Sequence, residues 1–140
     1  MNLTKYLKVY KKFLHSSLAS ELEYKTNILV DLITAILSLI GSIFLLSIFF
    51  QNDAHIGGWK FEQALIIQGI YTVLNGITNT WFNPNLTEIV KHIREGTLDF
   101  VLLKPIDSQF FISLKKLTPS GFLEIILGIC LLLYLSLIHI

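Results

Sequence analysis

The chain has 140 residues, of which 53% are hydrophobic and only 15% are charged. Soluble domains carry roughly 25% charged residues, so this composition excludes an ordinary soluble domain and favours a membrane protein. The formal net charge is +1, which gives no electrostatic reason to expect a nucleic-acid partner. The one cysteine, Cys130, lies in an apolar run and cannot form a disulfide within the chain.

Residues 1–26 predict an amphipathic helix. At about 100° per residue, the lysines fall on one arc and the apolar and aromatic residues fall on another, namely Leu3, Tyr6, Leu7, Tyr10, Phe13, Leu14 and Leu18. Aromatic residues opposite lysines are typical of a helix that lies in the membrane interface, and we predict this placement. A helix packed inside a protein domain has the same pattern, so that alternative stays open.

Residues 27–140 predict an all-α, polytopic transmembrane domain with three spans, at about 28–50, 61–82 and 120–140. The first span would be roughly 34 Å long, enough to cross a hydrocarbon core of about 30 Å. The third run reaches Ile140 without a polar flank, which predicts a chain truncated at its C-terminus, either a fragment or the product of a disrupted reading frame.

The second predicted span is unusually polar, because it contains Gln68, Asn75 and Asn79. A polar membrane helix normally faces protein or a water-filled path rather than lipid. These three residues are therefore candidates for a translocation path, or alternatively for hydrogen bonds between packed helices.

The basic residues predict the orientation in the membrane. Ten of the eleven lysines and arginines precede the first span or lie between the second and third spans, and Lys60 alone lies between the first two. Basic residues concentrate on the cytoplasmic side of membrane proteins. The N-terminus and the loop 83–119 are therefore predicted to be cytoplasmic.

The loop 83–119 has strong local structure signals. We predict a helix with Asn83 as N-cap and Pro84 in its first position, ending at Gly96. After Pro105, Asp107 or Ser108 would cap a short helix that extends through Leu117.

Between these helices the loop carries the apolar run 100–103, which needs a surface to cover it. Its flanking charges, Arg94, Glu95, Asp99 and Lys104, resemble the polar rim of a protein interface. We predict that the run docks on a partner; packing on the protein's own N-terminal helix or membrane domain is the alternative.

Catalytic sequence signals are missing. The chain has no glycine-rich phosphate loop, no GxSxG or HExxH motif and no Cys/His cluster, and its four histidines are scattered. We therefore predict that the protein is not an enzyme and has no catalytic residue, metal site or cofactor.

The segment IREGTLDFVLLKPI, followed by SQFF, resembles the cytoplasmic loop of ABC-2 type permeases, most closely the bacterial ABC-2 family transporter proteins. Their loop has the form I-R-x-G-x-L-D-x-x-L-x-x-P, which this chain matches at Ile93, Arg94, Gly96, Leu98, Asp99, Leu102 and Pro105. The segment 21–27 and the pair Gly58-Trp59 are also similar. The resemblance covers essentially the whole chain and corresponds to the N-terminal half of a subunit with about six spans.

The resemblance implies a multi-pass export permease in a bacterial inner (plasma) membrane, paired with a second, identical or different, permease and with separate ATPase subunits. Membrane lipid would surround it. The loop would contact the ATPase through the residues Arg94, Glu95, Gly96, Leu98, Asp99, Leu102 and Pro105. A different class of function remains possible from the residues alone: a small, non-transporting membrane scaffold or assembly protein.

Overall fold

A computed structural model describes residues 3–23, 25–51 and 58–138 of the chain. Its regular elements are helices, in agreement with the predicted all-α class. They are α1 (Leu3–Glu23), α2 (Lys25–Phe49), α3 (Phe61–Ile77), a π-helix (Thr78–Phe82), α4 (Asn83–Arg94), α5 (Leu98–Leu102), α6 (Ser108–Leu114) and α7 (Gly121–Ile138). Residues 52–57, most of the turn between the first two predicted spans, lie outside the described residues.

The chain divides into two compact units. We call residues 1–28 and 78–119 the loop unit, and residues 29–77 and 120–140 the membrane unit. The sequence-based boundary at residue 26 separated α1 from everything that follows, whereas the structure groups α1 with the loop. The reason is side-chain packing between segments far apart in the chain, which a linear division cannot show.

Two helices in the described residues are long and apolar enough to cross a membrane, Thr26–Phe49 and Gly121–Ile138. They correspond to the first and third predicted spans. The second predicted span, 61–82, is divided between α3 and the π-helix. Since α3 alone is about 26 Å long, slightly less than a hydrocarbon core of about 30 Å, a third span stays a prediction.

The membrane unit contains a close helix pair, α3 and α7. Gly69 and Gly76 of α3 are buried, as are Gly121 and Gly128 of α7. A methyl group added at Gly76 would lie 2.8 Å from the carbonyl oxygen of Gly121. Because small residues let helix backbones approach closely in lipid, these glycines explain why α3 and α7 pack together.

Asn83 does not act as the N-cap predicted for α4. The cap position is Phe82, which has helical dihedrals and no capping side chain, because the π-helix leads directly into α4. Pro84 lacks the N–H that would bond the carbonyl of Thr80 four residues earlier. The N–H of Thr118, near the end of the loop, donates to that carbonyl at 3.0 Å. The proline therefore leaves the Thr80 carbonyl able to accept this bond from Thr118.

Candidate functional site in the segment between α4 and α6

Gly96 ends α4 as the sequence predicts. Its φ is +65°, a left-handed conformation that glycine adopts without steric cost. The N–H of Thr97 donates to the carbonyl of His92 at 2.9 Å, and the N–H of Gly96 donates to that of Ile93 at 3.3 Å. These two bonds form a Schellman motif, which fixes the direction in which the chain leaves α4.

The short helix α5 anchors the segment through one residue and exposes its neighbours. Val101 is buried, with 3% of its surface exposed, whereas Phe100 is 71% and Leu103 is 80% exposed. Leu102 is also exposed. The structure thus leaves most of the predicted apolar run uncovered, and one buried side chain holds the run in place.

The following helix, α6, is capped by Asp107, whose carboxylate accepts a hydrogen bond from the N–H of Phe110 at 2.8 Å. The helix ends at Leu114, three residues earlier than predicted. Phe111 is buried, and the Lys104 Nζ lies 3.9 Å from the centre of its ring. This cation–π contact attaches the segment that follows α5 to α6.

Helix α1 packs on this segment with the aromatic face that was predicted to meet the membrane interface. Tyr6 makes an edge-to-face contact with Phe110, and Phe13 makes one with Phe111. The Lys5 Nζ donates to the carbonyl oxygen of Pro105 at 3.0 Å. These contacts hold α6 and the chain segment just before it in place, and they leave Phe100 and Leu103 exposed.

A charge cluster joins α4 to the end of α6. The carboxylate of Glu88 lies 3.0 Å from the Lys115 Nζ, 3.6 Å from the Lys116 Nζ and 3.7 Å from the His92 Nε2. The hydrogen bond from Lys115 is the main cause that lowers the pKa of Glu88; burial opposes it, and electrostatic attraction to Lys115, Lys116 and His92 reinforces it. The cluster fixes the C-terminal end of the loop against α4.

The predicted contact residues lie along one continuous stretch, 94–105. Arg94, Glu95, Gly96, Asp99, Leu102 and Pro105 are exposed, and Leu98 is half-buried. Exposed charges therefore flank the exposed apolar side chains. The sequence offered α1 only as an alternative surface for the run 100–103, and its contacts with α6 were not predicted, although the paired aromatic residues of α1 and α6 were a usable signal.

The polar residues of the second predicted span have separate partners. Asn75 donates from its Nδ2 to the Glu124 Oε2 of α7 at 3.2 Å. The Gln68 Nε2 lies 3.5 Å from the Thr72 hydroxyl, one turn away. Asn79, in the π-helix, accepts a bond from the Asn83 amide at 2.7 Å. Asn75 thus links two helices, and the assignment of all three to a translocation path stays a prediction.

Comparisons with known proteins place this chain in a family. No curated protein and no solved structure matches it. Residues 36–140, more than half of the chain, match the family described as ABC-2 family transporter protein. That match contains the exposed segment and all the residues of the predicted loop motif, and it confirms the resemblance seen in the sequence. The chain therefore belongs to the ABC-2 transporter family, whose members are membrane subunits of transporters.

Proposed function

We propose that the protein is a permease subunit of an ATP-binding-cassette exporter and that a separate ATPase subunit docks on residues 93–111. Family membership supports the transporter part of this proposal. The observation that carries the docking part is the exposure of Phe100 and Leu103 beside the charged residues Arg94 and Asp99. Interfaces between proteins commonly have such an apolar centre with a polar rim.

The segment is suited to transmit force because its backbone is fixed at several points. The Schellman motif at Gly96, the anchor Val101 and the cap at Asp107 restrain it along its length. Helix α4 follows α3 through the π-helix without a break in the chain. ATPase closure would therefore press on a stiff element and move the helices on either side of the loop, while the chemistry of ATP hydrolysis takes place in the partner.

The complete transporter would include a second copy of this permease or a different permease. We place this transporter in the inner (plasma) membrane of a bacterium. The distribution of basic residues supports a cytoplasmic N-terminus. In that orientation the ATPase reaches residues 93–111 from the side where ATP is available.

Co-purification with a co-expressed ATP-binding subunit tests the docking surface. The double variant Phe100→Ala/Leu103→Ala removes the exposed apolar side chains and should weaken ATPase binding at least about tenfold. The control Phe49→Ala/Leu137→Ala removes the same residue types at 63% and 78% exposure in α2 and α7, and it should leave ATPase binding unchanged. Membrane insertion should be normal in both.

Equal binding by the two double variants would contradict docking at residues 93–111. Failure of the unmodified chain to bind any ATP-binding subunit would favour the alternative, a non-transporting scaffold or assembly protein. The two outcomes are distinguishable because the first is seen only in the variants and the second already in the unmodified chain.

A further inference from the structure

A polar groove lies between the C-terminal half of α1 and the chain that follows α6. Its volume is about 280 Å³, far more than the roughly 15 Å³ that one water molecule needs. Helix α1 forms one wall with three serines, and the opposite wall carries two lysines and a threonine, namely Ser16, Ser17 and Ser20 against Lys115, Lys116 and Thr118. All of these residues belong to the loop unit, so the groove lies within one compact unit.

The groove exists because one face of α1 changes its composition along the helix. In the N-terminal half, Tyr6 and Phe13 of this face pack on the aromatic rings of α6. At about 100° per residue, the three serines lie within about 60° of Phe13, on the same side of the helix. Their side chains are short, so they leave open a space that larger apolar residues would fill.

The serine wall offers hydrogen-bond donors to the groove. The Ser17 Oγ accepts the N–H of Leu117 at 3.3 Å, so the hydroxyl proton of Ser17 is left to donate elsewhere. Ser16 and Ser20 are exposed, and their hydroxyl groups make no hydrogen bond within the described residues. A ligand in the groove can therefore receive hydrogen bonds from α1 without displacing any bond of the protein.

The two lysines give the groove a net positive charge. Glu88 is the one carboxylate among the lining residues that the structure describes, and it lies 3.0 Å from the Lys115 Nζ but 3.6 Å from the Lys116 Nζ. Lys116 is thus the more loosely paired lysine, and its side chain is 55% exposed. Its backbone is held on both sides, because the buried Asn85 binds its N–H and its carbonyl oxygen. A positioned cation beside several hydroxyl donors suits an oxyanion.

We propose that this groove binds the phosphate group of a phosphate monoester, with Lys116, Ser16 and Ser20 donating to its oxygens. Such a group carries about 1.5 to 2 negative charges at neutral pH and accepts several hydrogen bonds. A soluble phosphorylated metabolite and the headgroup of phosphatidic acid share this chemistry. The bound phosphate would link α1 to the end of the loop. The proposal depends neither on transport nor on ATPase docking, and residues 16–20 precede the family match, which begins at residue 36.

Isothermal titration calorimetry on the full chain in phosphatidylcholine nanodiscs tests the proposal, with glycerol 3-phosphate as the probe. Binding should saturate at one site per chain, whereas glycerol should not bind. Lys116→Gln should raise the Kd about tenfold, because it removes a charged donor. Ser16→Ala/Ser20→Ala should raise it about fivefold and keep the helix content in circular dichroism, because alanine favours a helix more than serine does.

The matched control is Lys91→Gln, which removes an exposed lysine of α4 that does not line the groove and gives the same net charge as Lys116→Gln. It should leave the Kd unchanged. Absence of saturable binding of glycerol 3-phosphate, or an equal change of the Kd in Lys116→Gln and Lys91→Gln, would overturn the proposal.

Nanodiscs that contain phosphatidic acid distinguish the two sources of the phosphate, when they are compared with phosphatidylglycerol discs of equal surface charge. Weaker binding of glycerol 3-phosphate in the phosphatidic acid discs alone would support a lipid headgroup as the occupant of the groove. Equal binding in the two kinds of disc would support a soluble phosphate monoester.

Discussion

At the scale of single residues, Asn85 shows how the loop is closed. Its side chain is buried, and its Nδ2 donates to the carbonyls of Trp81 at 2.6 Å and Lys116 at 2.7 Å. Its Oδ1 accepts the N–H of Lys116 at 2.9 Å. Only an amide of this length supplies both donors and the acceptor, since an aspartate would place a carboxylate against two carbonyls. Asn85 therefore joins α4 to the chain that follows α6.

Glu88 gives the loop unit a predicted pH dependence. Its lowered pKa means that the folded state favours the carboxylate, so its stabilising effect is fully present above the ordinary value of 4.5 and is lost as the pH falls below it. Glu88→Gln should reduce the free energy of unfolding by about 1 kcal/mol at neutral pH and by progressively less under acidic conditions. Thermal unfolding followed by Trp81 fluorescence, in a Trp59→Phe background, measures this difference.

The matched control is Glu95→Gln, because Glu95 is exposed at the C-cap of the same helix and has no ion-pair partner among the described residues. It should change the stability little at any pH. A difference between Glu88→Gln and the unmodified protein that stayed constant into the acidic range would show that the ionised carboxylate is not the stabilising species.

At the scale of the elements, the chain passes from the membrane unit to the loop unit where α3 ends and the π-helix begins. Thr80 in this turn is fully buried, and its carbonyl receives the N–H of Thr118. A π-helical turn widens the backbone and interrupts the regular hydrogen-bond ladder. Pro84 lowers the energetic cost of such an interruption, because it has no N–H that would lose a hydrogen-bond partner. The chain of the second predicted span thus continues through the π-helix into α4, and Asn83 is not an N-cap.

The glycines between α3 and α7 should differ in their tolerance of alanine. A methyl group at Gly76 would meet backbone atoms, the Gly121 oxygen and the Ile125 nitrogen, both at 2.8 Å. At Gly69 the contacts under 3.0 Å are to the side chain of Leu132, which can move. Gly76→Ala should therefore lower the free energy of unfolding by about 1–3 kcal/mol and Gly69→Ala by less. Unfolding in sodium dodecyl sulfate measures both values.

Gly41→Ala is the control for this series, because Gly41 lies in α2 and an added methyl group there would have no neighbour within 4 Å. It should be neutral or slightly stabilising. If Gly76→Ala were as harmless as Gly41→Ala, the close contact between α3 and α7 would not be the source of stability in the membrane unit.

At the scale of the whole molecule, the distribution of lysine and arginine predicts which segments face the cytoplasm. In a Cys130→Ser background, a Gln109→Cys variant tests α6 and a Lys60→Cys variant tests the connection between the first two spans. A membrane-impermeant maleimide should label Lys60→Cys in intact cells and Gln109→Cys only after permeabilisation, because basic segments stay on the cytoplasmic side. The reverse labelling pattern would contradict this orientation and the proposed access of an ATPase to the loop.

Local signals in the sequence were sufficient for several features of the fold and of the candidate site. The helical class, the two most apolar spans, the left-handed end of α4 at Gly96 and the cap at Asp107 depend on periodicity, hydrophobicity and backbone preferences of neighbouring residues. The loop motif that identified the family is likewise a linear pattern.

Which faces are buried and which are exposed becomes visible only in the tertiary structure. The aromatic face of α1 fits a membrane interface as well as a protein surface, and only the structure shows that Tyr6 and Phe13 contact α6. The run 100–103 is uniformly apolar in sequence, yet packing buries Val101 and exposes Phe100 and Leu103. The helical class, most of the helices and the family motif follow from local patterns of the sequence. Burial depends on contacts between residues distant in the chain, and so the tertiary structure alone decided which side chains remain free to bind a partner.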